Sequence, residues 1–135
     1  ELASEDSAAF DEVMAAFRMP KDDDDQIKLR RDEIRRATLE AARTPLETAR
    51  LAFQLLCALP ELATHGNGNA VSDVGVASLL ASAACKGALM NVEINLSSLP
   101  EDMGVDERTE CARMKQEVSD ISRSSINSVQ ERLSS

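Results

Sequence analysis

Gly66–Leu96 reads GNGNAVSDVGVASLLASAACKGALMNVEINL. It opens on a Gly/Asn turn that no helix interior tolerates. From about Ala70 to Ser97 it then runs as small and aliphatic residues, a pattern that predicts one long, closely packed helix. Asp73, Asn91 and Asn95 interrupt that run on one side. Amides and a carboxylate on a face meant for burial must satisfy one another or receive something polar.

The flanking segments follow the same period. Glu1–Met19 predicts an amphipathic helix, with Leu2, Phe10, Val13, Met14 and Phe17 at three- and four-residue steps. Pro20–Asp25 (PKDDDD) predicts an acidic loop. Gln26–Arg43 predicts a second helix with a thin apolar stripe of Ile27, Ile34, Ala37 and Ala41. Thr44-Pro45-Leu46-Glu47 reads as a helix start, with Thr44 as cap, Pro45 at the first helical position and Glu47 closing a capping box. That third helix should run to about Thr64, with a kink near Pro60. His65–Asn69 is the turn, its glycines free to take positive φ. Leu99–Val105 is a loop, and Asp106 is expected to cap a last helix reaching about Leu133, with Cys111, Met114, Val118, Ile121 and Val129 facing inward. The expected fold is all-α, a single domain over 1–135, a bundle of about five helices that dimerises through its long helices. Gly75, Ala77, Ala81, Ala84, Gly87 and Ala88 would allow close helix approach.

Composition excludes several functions. Only 2% of residues are aromatic and the net charge is -9, so neither a basic stripe nor stacking platforms for nucleic acid exist. The longest uncharged part of the central run, Val74–Cys85, falls short of the ~17 to 25 apolar residues a spanning helix needs, so no membrane partner is expected. Cys57, Cys85 and Cys111 lie far apart without C-x-x-C spacing, which reads as reduced, buried thiols in a cytoplasmic protein. No His/Cys/carboxylate cluster suggests a metal, and the solitary His65 reads as a loop residue.

Three places could carry chemistry. Asp6 falls among the inward positions Leu2, Phe10, Val13 and Phe17. There it would be partly desolvated and suited to proton exchange, or it could be a carboxylate at a stripe edge bonded to a neighbouring helix. At about 100° per residue, Asn91 and Asn95 share a face with Ala84 and Gly87. Ser78, Ser82, Lys86 and Glu93 take the opposite side, which reads as solvated, so the asparagines are expected inside. They could hold a ligand edge or form an interhelical hydrogen-bond pair. Asp73 lies ~33 Å from Asn95 along a continuous helix at ~1.5 Å per residue. It and Ser72 therefore either cap the helix or serve a site shared across a dimer.

The spacing GN-x-NA-x-SD (Gly66, Asn67, Asn69, Ala70, Ser72, Asp73) followed by G-x-x-x-NV-x-IN (Gly87, Asn91, Val92, Ile94, Asn95) resembles the cyclodeaminase/cyclohydrolase family of folate enzymes. This family includes the C-terminal part of formiminotransferase-cyclodeaminase. The likeness extends to Asp6–Lys21, which ends in AAFRMPK, and to Thr44–Arg50. It implies a helical-bundle homodimer with a tetrahydrofolate derivative as substrate near the subunit interface, and no metal. It also implies one of two activities, formiminotetrahydrofolate cyclodeaminase or methenyltetrahydrofolate cyclohydrolase. The family's proton-accepting aspartate, in an ED-x-x-AF-type segment, corresponds to Asp6. Asn91, Asn95, Asp73 and Ser72 are the implied substrate-binding residues. Lys21, Lys28, Arg30, Arg31, Arg35 and Arg36 read mostly as a solvated face, of which some could meet a folate glutamate tail. The family domain also has helices and a Gly/Ser-rich turn ahead of position 1, so N-terminal helices are expected to be missing here. A reading from another class is a non-catalytic helical dimerisation or partner-binding module.

Overall fold

A computed structural model describes residues 2–134, with side chains from Ser4 onward; Leu2, the first position of the expected stripe, lies outside the described side chains. Four α-helices follow in order: α1 (Leu2–Phe17), α2 (Asp24–His65), α3 (Val71–Ser97) and α4 (Val105–Leu133), with a 3-10 turn at Gly68–Ala70 ahead of α3. No strand occurs among the described residues.

The four helices replace the expected five because Thr44-Pro45-Leu46-Glu47 starts nothing. α2 passes through it as a 42-residue helix. Glu47 pairs with Arg50 at 3.0 Å instead of closing a capping box, and the Thr44 carbonyl accepts the Thr48 hydroxyl at 3.3 Å. The real cap lies further back. Asp23 accepts from the Gln26 amide at 2.8 Å, and the Gln26 side chain accepts from the Asp22 amide at 3.0 Å. Continuity wins at Pro45 because the buried stripe never breaks. It runs Ala37, Thr38, Ala42, Pro45, Leu46, Ala49, Phe53, Leu56, Leu59 and Ala63, and burial on that scale outweighs the ~3 kcal/mol an interior proline costs.

α2, α3 and α4 pack round one core of Leu46, Phe53, Leu56, Cys85, Leu89, Val92, Met114 and Val118, while α1 packs chiefly on α2. Two arginines of α4 close the C-terminal ends of its neighbours. Arg132 donates to the carbonyls of Ala63 and Gly66, both at 2.9 Å. Arg108 donates to those of Leu96, Leu99 and Met103. Carbonyls at and just beyond the helix ends thereby gain side-chain donors.

The glycines act differently from expectation. Gly66 keeps negative φ (-69°), and what excludes a side chain there is the Leu62 carbonyl against which a Cβ would collide. Among the described residues positive φ occurs only at Gly104 (66°), which holds the N-terminal cap position of α4 in place of Asp106. A Cβ on Gly104 would also meet Leu96 at 2.9 Å and Leu39 at 3.0 Å. Asp106 and Glu107 sit instead in the first turn, where a negative charge suits the helix dipole.

α3 carries large apolar side chains on both its inner and its outer face. Its inner face enters the core. On its outer face Val76, Leu79, Leu80, Met90 and Ile94 are each more than half exposed. By length and composition alone Gly68–Ser97 could cross a membrane, with a mean hydropathy of 1.3, although 44% of that window is packed inside the bundle. The expectation that no stretch reaches spanning length counted only the uncharged residues between Asp73 and Lys86.

Candidate active site

Three helices meet at a cleft of about 490 Å³, within the ~300–1,000 Å³ usual for small-molecule sites. α1 supplies Asp6 and α2 supplies Thr44, Pro45 and Thr48. α3 supplies Ala83, Ala84, Gly87, Ala88 and Asn91. The acid, the amide and two hydroxyl-bearing side chains thus face a wall of small residues. Gly87 is notable because a Cβ built there meets nothing within 4 Å. A glycine inside a helix costs ~1 kcal/mol against alanine, and here no packing within the chain requires it.

Asp6 and Asn91 are 85 positions apart in the chain and line this same cleft. Asp6 is exposed, because α1 rests on α2 with its Phe10 and Phe17 side turned largely to solvent. The expected burial of Asp6 in an apolar stripe is therefore corrected. The faces of α3 also differ from expectation, although Lys86 and Glu93 are exposed as expected. Asn91, Ala84 and Gly87 point outward, whereas Ser78 and Ser82 are buried against α4. The reason is size. Small side chains let α3 and α4 come close, so that a Cβ on Gly75 would lie 3.2 Å from Val129.

Asn95 stays out of the cleft. It is half-buried, and its amide nitrogen donates to the Asn91 carbonyl at 3.0 Å, within its own helix. Ser72 and Asp73 are exposed in the first turn of α3, about 27 Å from Asn91 at ~1.5 Å per residue. Neither caps that helix through its side chain. Asn67 does the local capping, accepting from the Asn69 amide at 3.0 Å. Thr44, Pro45 and Thr48 were missed as site residues. A proline within an otherwise unbroken helical stripe was the available signal, since such breaches of local preference concentrate at functional sites.

A second groove of about 550 Å³ lies between α3 and α4, lined by Glu93, Leu96, Ser97, Arg108, Cys111 and Lys115 among others. Its cations are already engaged, Arg108 with carbonyls and Lys115 with Glu93 at 2.6 Å. The Cys111 thiol bonds the Leu89 carbonyl at 3.9 Å, and burial pushes its pKa up, as it does for Cys85. These thiols are poor nucleophiles. All three cysteines are free, but Cys57 is exposed rather than buried. Among the described residues no group of three His, Cys, Asp or Glu could hold a metal ion. The cleft holding Asp6 is therefore the better candidate.

Comparison with known proteins places the chain in a family. A family model described as Formiminotransferase-cyclodeaminase matches residues 1–118. The chain is 34% identical over 107 residues to methenyltetrahydrofolate cyclohydrolase of Methylorubrum extorquens, covering 79% of this chain and 51% of that protein. It is 32% identical over 102 residues to formimidoyltransferase-cyclodeaminase of Rattus norvegicus, covering 76% of this chain and 19% of that protein. The chain thus spans about half the length of the cyclohydrolase and about a fifth of the mammalian protein. With the family match running through Asp6, the α2 wall and Asn91, the chain belongs to the formiminotransferase-cyclodeaminase family.

Proposed function

We propose that this chain is the folate-binding, one-carbon-converting part of a cytoplasmic enzyme, acting as a formiminotetrahydrofolate cyclodeaminase or a methenyltetrahydrofolate cyclohydrolase. The observation that carries the reading is the meeting of Asp6 and Asn91 in one cleft of ligand size, in a chain of this family. Family membership narrows the chemistry to two related reactions. In cyclodeamination, N10 of 5-formiminotetrahydrofolate attacks the formimino carbon. The N10 proton goes to a base, the carbon–nitrogen bond to the departing nitrogen breaks, and ammonia leaves with 5,10-methenyltetrahydrofolate as product. In the hydrolase reaction, water adds to the methenyl carbon and loses a proton. The N5–carbon bond then breaks, giving 10-formyltetrahydrofolate. Either route needs one group that takes a proton from the nucleophile and passes it to the leaving nitrogen. Asp6 is the carboxylate in the cleft and takes that role. Asn91, with two donors and two acceptors, orients the substrate.

The working unit is a homodimer. Large exposed apolar patches mark interaction surfaces, and the outer face of α3 continues into Leu51, Leu55 and Leu62 of α2, all exposed. These leucines recur at helical steps from Thr44 and Thr48, so they follow the side of α2 that borders the cleft. A second copy seated there would draw water away from Asp6. A non-catalytic dimerisation module would use the same apolar face, but would show no rise in melting temperature with tetrahydrofolate.

The deciding experiment is Asp6→Asn in the full-length protein. Turnover should fall ~10²- to 10⁴-fold, the usual worth of general acid–base catalysis. Melting temperature and tetrahydrofolate affinity should hold, since Asp6 is exposed and its amide analogue is isosteric. Near-normal turnover would remove Asp6 from the mechanism.

A further inference from the structure

α1 carries Asp6, yet burial anchors it lightly. Ala16 is its one fully buried residue among those described, with Ala9, Val13 and Met14 half-buried. An element with few buried apolar contacts is easily displaced, so polar ties have to fix it. Two arginines of α2 supply them. Arg30 donates through Nη2 and Nε to the Phe17 carbonyl, at 3.0 and 3.3 Å, and its guanidinium lies 5.6 Å from the centroid of the Phe17 ring. That carbonyl ends α1 and lacks a helical donor. The last turn of α1 has no basic residue of its own, so Arg30 also meets the negative end of the helix dipole. Arg36 donates to Glu12 at 3.4 Å, while Glu33 holds the same guanidinium at 2.8 Å. An arginine already oriented by one carboxylate loses less freedom on meeting a second. Arg31 and Arg35 differ, since both pair with Asp32 on their own helix.

Glu12 and Phe17 lie ~9 and ~16 Å from Asp6 along the axis of α1, at ~1.5 Å per residue. Ties at two separate levels resist both rolling and sliding of the helix. We infer that Arg30 and Arg36 are positioning residues, which fix α1 on α2 and thereby hold the Asp6 carboxylate at the cleft beside Thr44 and Thr48. This rests on the assignment of Asp6 above and adds to it what keeps that group in place. The support matters because a misplacement of about 1 Å can cost ~10²-fold in rate.

The test uses the full-length protein, with turnover followed through 5,10-methenyltetrahydrofolate, which one candidate reaction forms and the other consumes. Amide hydrogen exchange of α1 and melting temperature are read alongside. Arg30→Met keeps the aliphatic stem and removes the donors. It should lower kcat ~3- to 10-fold, the worth of one hydrogen bond, with KM within about twofold and melting temperature held. Exchange should quicken in α1 and not in α2, α3 or α4. Arg36→Gln and Glu12→Gln should each lower kcat ~2- to 5-fold, as an exposed ion pair allows. The double substitution should do no more than either alone, because both remove the same contact. Unchanged kcat in Arg30→Met and Glu12→Gln would overturn the inference while leaving the folate reading intact. A fall in melting temperature that tracks the fall in kcat would also overturn it, because that is the signature of a structural role. A wild-type protein that neither forms nor consumes 5,10-methenyltetrahydrofolate would overturn both.

Discussion

The two faces of α3 have nearly the same apolar character and opposite surroundings. Inward, Val74, Cys85, Leu89, Val92 and Leu96 are buried against α2 and α4. Outward, Val76, Leu80, Met90 and Ile94 meet solvent. The inner face even carries the serines Ser78 and Ser82, while the outer carries paired leucines at Leu79 and Leu80. In this helix, then, burial is decided by which neighbours fit, and small side chains win the closely packed side. The other side stays exposed in the bundle.

Truncating the inner face should do the most damage. Leu89 is 2% exposed, and Leu89→Ala should destabilise the fold by ~2–5 kcal/mol, as large-to-small core changes do. Denaturant titration reads this directly. If Leu80→Ala on the outer face cost as much in the isolated protomer, the contrast between the faces would collapse.

The outer face should respond in assembly instead. Leu80→Glu with Ile94→Glu should leave protomer stability within ~0.5 kcal/mol, as surface changes usually do, yet abolish association. Sedimentation should show monomer for the variant and dimer for the wild type. A wild type that stayed monomeric at micromolar concentration would end the interface reading.

The polar exceptions on the inner side give a smaller effect of opposite sign. The hydroxyls of Ser78 and Ser125 are buried without a protein partner, and such groups cost ~1–3 kcal/mol when left unsatisfied. Ser78→Ala should therefore stabilise by ~1 kcal/mol. A loss of stability would instead reveal a bound water satisfying the Ser78 hydroxyl.

The smallest effect depends on pH. Arg50 of α2 grips Glu110 of α4 at 2.6 and 2.9 Å, and that hydrogen bonding holds the Glu110 carboxyl below its ordinary 4.5. A depressed carboxyl contributes stability that is present above the unfolded value and lost as pH falls through the folded one. Glu110→Gln should flatten the acid limb of stability below about pH 4.5. Because Arg50 is 41% exposed, solvent screening limits the effect to under ~1 kcal/mol.

Much of the architecture was legible in the chain. Apolar steps in Cys111, Met114, Val118 and Val129 correctly placed the inner side of α4, because one polar and one apolar face leave a single solution. The same reasoning failed on α3, where both sides are apolar and periodicity carries no direction. It failed again at Thr44-Pro45, because a local start signal is indistinguishable from a proline tolerated inside a longer helix until the continuous stripe is packed. The residues for a cap were present, but Asp23 and Gln26 formed it.

By itself the sequence determined that the chain is helical, where the loops between α1, α2, α3 and α4 fall, and which family it resembles. These follow from local preferences and fixed spacings, which a linear chain displays. The tertiary structure alone decided that α2 is unbroken, that Asn91 faces outward, and that Asp6 shares a cleft with Thr44 and Asn91. Those outcomes depend on how three helices with competing apolar faces minimise exposed surface together, and no segment of the chain contains that information alone.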